Sequence, residues 1–277
     1  MSRPRPRPSL ALLVGAALTV LLIAVAIIST AWTPESPTRV RVPLRLKGPL
    51  EAGLLGTDHF GRDVASMLMA GAWNSLAIAF PAVLLGAVIG VAIGSAAAAV
   101  RGWFDELAMR AADIVFAFPA VLSAIMLGAL LGSGPTAAIL AIAVFNVPVF
   151  ARVTRGVALQ VWTLDYVAAA RALGKRPLAI ALQEVLPNIA GALIVQLTIQ
   201  LAFAILTEAG LSYLGLGVRP PNPSWGRMLN DAQTYLAQAP HLAIAPGLAV
   251  ALAVLGLNLL GDGLRDGLDP TLRDRGS

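Results

Sequence analysis

The 277 residues are 57% hydrophobic and only 13% charged, which is more apolar surface than a soluble domain can bury, so the chain is an integral membrane protein with lipid as part of its solvent. Its pI of about 10.4 would suit a polyanion, but the basic residues are spread over several loops, as membrane topology requires, and this excludes nucleic acid as a partner. There is no cysteine, so neither a disulfide nor a thiolate metal site can form.

A membrane-crossing helix needs about 20 mostly apolar residues, and six windows qualify, so the fold class expected is an all-α polytopic protein. The first window, Leu10 to Trp32, follows Arg3, Arg5 and Arg7. Basic residues collect on the cytoplasmic side, so residues 1–9 read as a cytoplasmic tail. A cleaved signal peptide is the competing reading of residues 1–31, with Ser29 and Ala31 as cleavage-site residues. The apolar part of such a peptide is normally about 7 to 15 residues, and this run is longer.

Residues 33–74 form the first extracytoplasmic segment, which closes on Leu55-Gly56-Thr57-Asp58-His59-Phe60-Gly61-Arg62-Asp63-Val64. Gly56 and Gly61 permit turn angles, and Thr57 or Asp58 is placed to cap a helix starting near Arg62. In the second window, Ser75 to Val100, Gly86, Gly90 and Gly94 recur every four residues with Ala98 on the same face. Such a stripe lets two helix backbones approach closely. Pro81 here and Pro119 in the third window, Ile114 to Gly132, each remove a backbone donor and make either a moving hinge or a static kink. Asp113 stands at the inner start of that window, where a helix N-terminus favours an acidic residue. Gly132-Ser133-Gly134-Pro135 turns into the shortest window, Pro135 to Ala151.

Residues 152–188 form a long inner loop, polar but helix-forming, within a core spanning 75–262. The fifth window, Ile189 to Leu216, holds an ionisable residue inside a span, Glu208. A charge there is costly and normally faces a cavity or a partner, so Glu208 is either a gate or pathway residue or a structural hydrogen-bonding group near the outer end. Asn146 and Gln196 are neutral polar residues in spans, pathway candidates that more often serve as glue between helices. In the loop 217–240, Trp225 and Tyr235 suit the membrane interface. The sixth window, Leu242 to Leu260, leads to a cytoplasmic tail at 263–277. Six spans return the C-terminus to the cytoplasm, with thirteen of the 20 Lys and Arg inside and seven outside. Arg39, Arg41, Arg45 and Lys47 oppose this orientation, but they sit in a long loop, where the rule is weaker.

Catalytic equipment is sparse. There is no His-Glu-x-x-His zinc pattern and no Gly-x-Ser-x-Gly elbow, and Gly174-Lys175 is followed by Arg176 where a Walker loop needs Ser or Thr. An intramembrane enzyme would have only Glu208 and an outer histidine, His59 or His241, to work with. A passive channel would have no use for the polar inner loop. The reading left standing is a transport subunit with no ATP site of its own, so that if it pumps, ATP and Mg must be bound by another subunit.

Several separated stretches resemble one family. They are Leu55-Gly56-Thr57-Asp58 with Gly61-Arg62-Asp63, Asp105-Glu106 through Arg110 and Asp113 to Phe118-Pro119, the loop around Gly174, Glu208 through Gly217, Ser224-Trp225-Gly226, and Gly261 through Pro270. In this order they resemble the C-type permease subunit of the dipeptide, oligopeptide and nickel ABC importers. The resemblance implies a type I ABC importer permease fold in the bacterial inner membrane. It also implies a homologous B-type permease, two ATPase domains and an extracytoplasmic substrate-binding protein as partners, with dipeptides or oligopeptides as cargo and nickel chelates or sugars as alternatives. The inner loop is similar to the segment such permeases insert into an ATPase cleft, which implies coupling roles for Asp165, Tyr166, Ala168, Ala169, Ala170, Arg171, Leu173, Gly174, Lys175, Leu186 and Pro187. The chain departs from the family where it has Ala168 in place of Glu and Glu184 in place of an apolar residue. Asp165, one turn before Ala168 on the same face, is placed to supply the missing carboxylate.

Overall fold

The computed structural model describes residues 9–118 and 120–268. Arg3, Arg5, Arg7, Pro119, Asp269, Pro270, Arg273 and Arg275 lie outside the described residues. Within them the architecture is helical, and the isolated bridge between Thr57 and Asp63 belongs to no strand.

Helix α1 (Leu10–Ala31) is capped by the Ser9 hydroxyl, which accepts from the Leu12 N–H at 3.2 Å, and it lies along α10 (His241–Leu268). Helix α2 (Val64–Val100) begins at Val64 instead of Ser75. Its cap is Asp63, not Thr57 or Asp58: the Asp63 carboxylate accepts from the Ser66 N–H at 2.7 Å and from the Ser66 hydroxyl at 2.6 Å. One side chain thus satisfies a free donor of the first turn while keeping its charge beside the helix N-terminus.

The long α2 packs chiefly on α5 (Pro135–Val161), and the glycine stripe is the seam. A Cβ on Gly90 would come within 2.5 Å of the Val147 carbonyl, while Gly86 and Gly94 would collide with Asn146 and Ala151. Only hydrogen fits between these backbones. Helix α5 continues past Ala151 because its polar residues are paired: Arg155 binds Asp105 and Arg152 binds Asp113, both on α3 (Gly102–Ala117). Asp113 therefore sits in the second half of α3, not at a helix start.

The third window is not one straight span. Helix α3 and helix α4 (Ala120–Leu131) meet at 88°. Twelve residues of α4 reach about 18 Å, short of a hydrocarbon core of about 30 Å. Among the described residues five helices are long and apolar enough to cross a membrane, and there are six if the bent pair counts as one span.

Beyond α5 the connection is shorter than the interval 152–188. It carries α6 (Asp165–Ala172), after which α7 (Pro177–Ile180), a π-helical turn (Ala181–Val185) and α8 (Leu186–Tyr213) run on as a 37-residue rod. The π turn has a local cause. Pro187 has no N–H, and its ring needs room beside the carbonyl four residues back, so the chain widens there and the Leu186 N–H reaches five residues back to the Ala181 carbonyl.

The main core joins α2, α5, α8 and α10 around Ile78, Val83, Ile142, Phe150, Ile205 and Leu211. At the α6 end a second cluster unites Ala98, Trp162, Val167, Ile180, Val185 and Ile189. At the other end, α9 (Trp225–Ala232) tucks beneath α2. Trp225 is 3% exposed and donates its indole N–H to the Leu68 carbonyl at 3.0 Å, so it is a core residue and not an interfacial anchor. Tyr235 is half-buried and stacks on the His59 ring at 5.2 Å.

Candidate coupling loop and buried polar sites

Helix α6 is short and two-faced. Val167 and Ala170 are buried in the second cluster, while Asp165, Tyr166, Ala168, Ala169 and Arg171 are exposed. Ala170 therefore faces the protein's own core and anchors the helix instead of presenting a surface. Asp165 in the first turn and Arg171 in the last complement the helix dipole. The Arg171 guanidinium also lies 5.6 Å from the Trp162 ring, within cation–π range.

The helix ends in a Schellman turn. The Lys175 N–H bonds the Ala170 carbonyl at 3.2 Å and the Gly174 N–H bonds the Arg171 carbonyl at 3.0 Å, with Gly174 at φ +77°. Only glycine holds that angle without steric cost. Leu173, just before it, is 83% exposed. An apolar side chain held out from a polar turn by a fixed backbone is a knob suited to another protein's pocket. Lys175 then binds Glu184 at 2.7 Å, so the two residues that depart from or follow the family pattern tie the turn to the π-helical segment. Leu186 and Pro187 start α8 beside it, the first half-buried and the second exposed.

Glu208 lies near the far end of α8 and is 0% exposed. Its Oε1 accepts from the Ser212 hydroxyl at 2.6 Å, and the Ser212 oxygen in turn accepts from the Val218 N–H at 3.1 Å. Ser75 and Ser224 lie near the same carboxylate, but Oε2 and the Ser75 hydroxyl have no hydrogen-bond partner among the described residues. Through Ser212 the group ties α8 to the loop leading to α9. Asn146 on α5 is buried, whereas Gln196 on α8 is half-buried. The structure does not bring Asn146, Gln196 and Glu208 into one site.

Residues 86–274 match the family of binding-protein-dependent transport system inner membrane components. The chain belongs to this family. It is 42% identical over 227 residues to the glutathione transport system permease protein GsiD of Pectobacterium atrosepticum, covering 82% of this chain and 75% of that one. Identity to the corresponding GsiD of Escherichia coli O1:K1 is 41% over 260 residues, covering 93% and 86%. A chain of the MetNI methionine ABC transporter in an inward-facing conformation aligns at TM-score 0.63 and 21% identity over 73% of this chain and 97% of that one, which shows a shared fold.

This binding-protein-dependent permease is therefore a multi-pass inner-membrane subunit of an ABC importer, with the type I permease fold. Permeases of the family work with a second permease, ATPases and a binding protein, and ATP is hydrolysed by the separate ATPase subunits. The permease also contains a buried ion cluster that sequence reasoning took for an ordinary capped turn. Arg62 binds Asp58 at 2.6 Å and approaches Asp231 of α9 at 3.6 Å, all three largely buried. Asp58 also accepts the backbone N–H groups of Phe60 and Arg62. The signal available was the density of charge in Asp58-His59-Phe60-Gly61-Arg62-Asp63, but its partner lies far along the chain.

Proposed function

We propose that this permease moves dipeptides, oligopeptides or the tripeptide glutathione into the cell, together with a homologous B-type permease, two ATPase domains and an extracytoplasmic binding protein. The observation that carries the reading is its 41–42% identity, over most of both chains, to permeases of glutathione transport systems.

In this reading α6 is the element gripped by an ATPase, and both termini lie on the cytoplasmic side with it. Asp165, Tyr166, Ala168, Ala169, Arg171, Leu173, Gly174 and Lys175 form the docking face, with Asp165 standing in for the carboxylate that Ala168 lacks. Leu186 and Pro187 carry the motion into α8. The support is geometric: a helix with a buried anchoring edge and an exposed outer face, closed by a glycine turn. ATP and Mg bind to the partner subunits.

The experiment is purification of the intact complex, followed by ATP-driven uptake of glutathione and a dipeptide panel into proteoliposomes. Saturable peptide uptake that depends on the binding protein is the expected result. Uptake of nickel chelates or sugars, with no peptide carried, would overturn the assignment.

A further inference from the structure

Between α5 and α8 lies a cavity of about 210 Å³ whose lining includes Ile142, Phe145, Asn146, Gln200, Phe203 and Thr207. We propose that it is a solute-facing subsite that takes the backbone amide of a peptide in transit, with Asn146 and Gln200 as its hydrogen-bonding pair. The inference rests on the peptide-importer reading above and adds the chemistry of recognition along the path.

The argument begins with an unmet acceptor. Asn146 is 4% exposed, and its Nδ2 donates to the Ile142 carbonyl at 2.8 Å. That carbonyl can only accept, so the nitrogen faces it and the oxygen is the unpaired end of a carboxamide that lines the cavity. Oδ1 has no partner among the described residues. A buried acceptor in that state has lost its bond to water without replacement, which a donor from outside the chain would restore.

The second observation is a stripe on α8. At 100° per residue, Gln196, Gln200, Phe203 and Thr207 fall within an arc of about 60°. Gln200 is 9% exposed and lines the same cavity as Asn146. The Thr207 hydroxyl donates to the Phe203 carbonyl at 2.8 Å, which leaves its lone pairs available. Carboxamides and a hydroxyl aligned along a spanning helix are poorly placed against hydrocarbon, where no water satisfies them. They are well placed against a path that carries polar solute.

No charged side chain lines the cavity. The site therefore has nothing to neutralise a terminal ammonium or carboxylate, and an acceptor beside a carboxamide matches the N–H and C=O of an internal peptide bond. Phe145 and Phe203 supply apolar walls for the flanking carbon atoms. Because every peptide offers the same amide, such a subsite holds cargo without choosing among side chains.

The chain has no cysteine, which makes a direct test clean. Asn146→Cys and Gln200→Cys, each in the full importer in proteoliposomes, are exposed to a charged, water-soluble methanethiosulfonate, with the exposed α1 position Leu21→Cys as the comparison. Uptake of S-methylglutathione is measured in parallel for Asn146→Leu and Gln200→Leu. We expect both cavity cysteines to react at least tenfold faster than the α1 cysteine. Each Leu variant should lower uptake kcat/KM by roughly two- to tenfold, the loss of one hydrogen bond, at normal complex yield. Labelling no faster than at Leu21→Cys, or wild-type uptake by both Leu variants, would make these carboxamides glue between helices and overturn the subsite. A wild-type importer that carries no peptide at all would instead overturn the peptide reading itself, and the amide assignment with it.

Discussion

Gly174→Val isolates the turn that closes α6. A Cβ at this position would meet nothing within 4 Å, so the substitution creates no collision and leaves the bundle's packing alone. What it changes is the backbone: φ is +77°, and an L-residue in the left-handed region costs about 1–2 kcal/mol, the upper end applying to a β-branched side chain. Through RT of about 0.59 kcal/mol, the capped turn loses roughly five- to thirtyfold in population. The bonds released are those from Lys175 to Ala170 and from Gly174 to Arg171. Gly174→Asn should stay near wild type, because Asn tolerates this region. The assay is the purified complex, scored for retained ATPase and for solute transported per ATP hydrolysed. Gly174→Val should lose ATPase on purification or hydrolyse ATP without matching uptake. Wild-type uptake with a normally bound ATPase would refute the idea that this loop couples the two machines.

Glu208→Gln should keep the Ser212 contact and support near-normal complex yield and uptake, whereas Glu208→Leu should lower yield by leaving the buried Ser212 hydroxyl without its acceptor, at about 1–3 kcal/mol. Abolished uptake with normal assembly in the Gln variant would show that the charge itself is required. Reporter fusions at Ser2 and Ser277 should both read cytoplasmic, and either one reporting from outside would break the proposed topology.

The spans were legible as apolar windows because lipid leaves composition as the dominant signal. Their ends were not. Helix α5 runs on through Arg152 and Arg155, whose charges look like loop until Asp113 and Asp105 are seen opposite them. Helix α2 starts at Val64, close to the Arg62 expected, but its cap is Asp63, and Thr57 and Asp58 offered equally good local chemistry. Trp225 reads as an interfacial anchor by residue type, and only the fold shows Leu68 and Gly71 waiting for it. Glu208 stood out because a carboxylate amid apolar residues is conspicuous, and its bonded partner Ser212 is one helical turn away. Gln196 is legible as a polar residue within a span, but the stripe it forms with Gln200 and Thr207 carries no charge, so its chemistry alone does not separate a path from glue between helices.

The small cluster beneath α6 also has a mechanical meaning. Trp162 caps the end of α5, while Ile180 and Val185 sit on the continuous α7–α8 rod, and all three share one buried cluster with Val167 of α6. Two helices thus share one short handle, so a push on α6 cannot move either alone. Helix α5 spans 27 residues, about 40 Å. A tilt of about 6° imposed at the handle therefore sweeps the far tip through about 4 Å, comparable to a peptide's width, by simple leverage along a rod of that length. Amplification of this kind needs no change within the helices, only a stiff grip at one end and a seam of glycines along which α5 can pivot against α2.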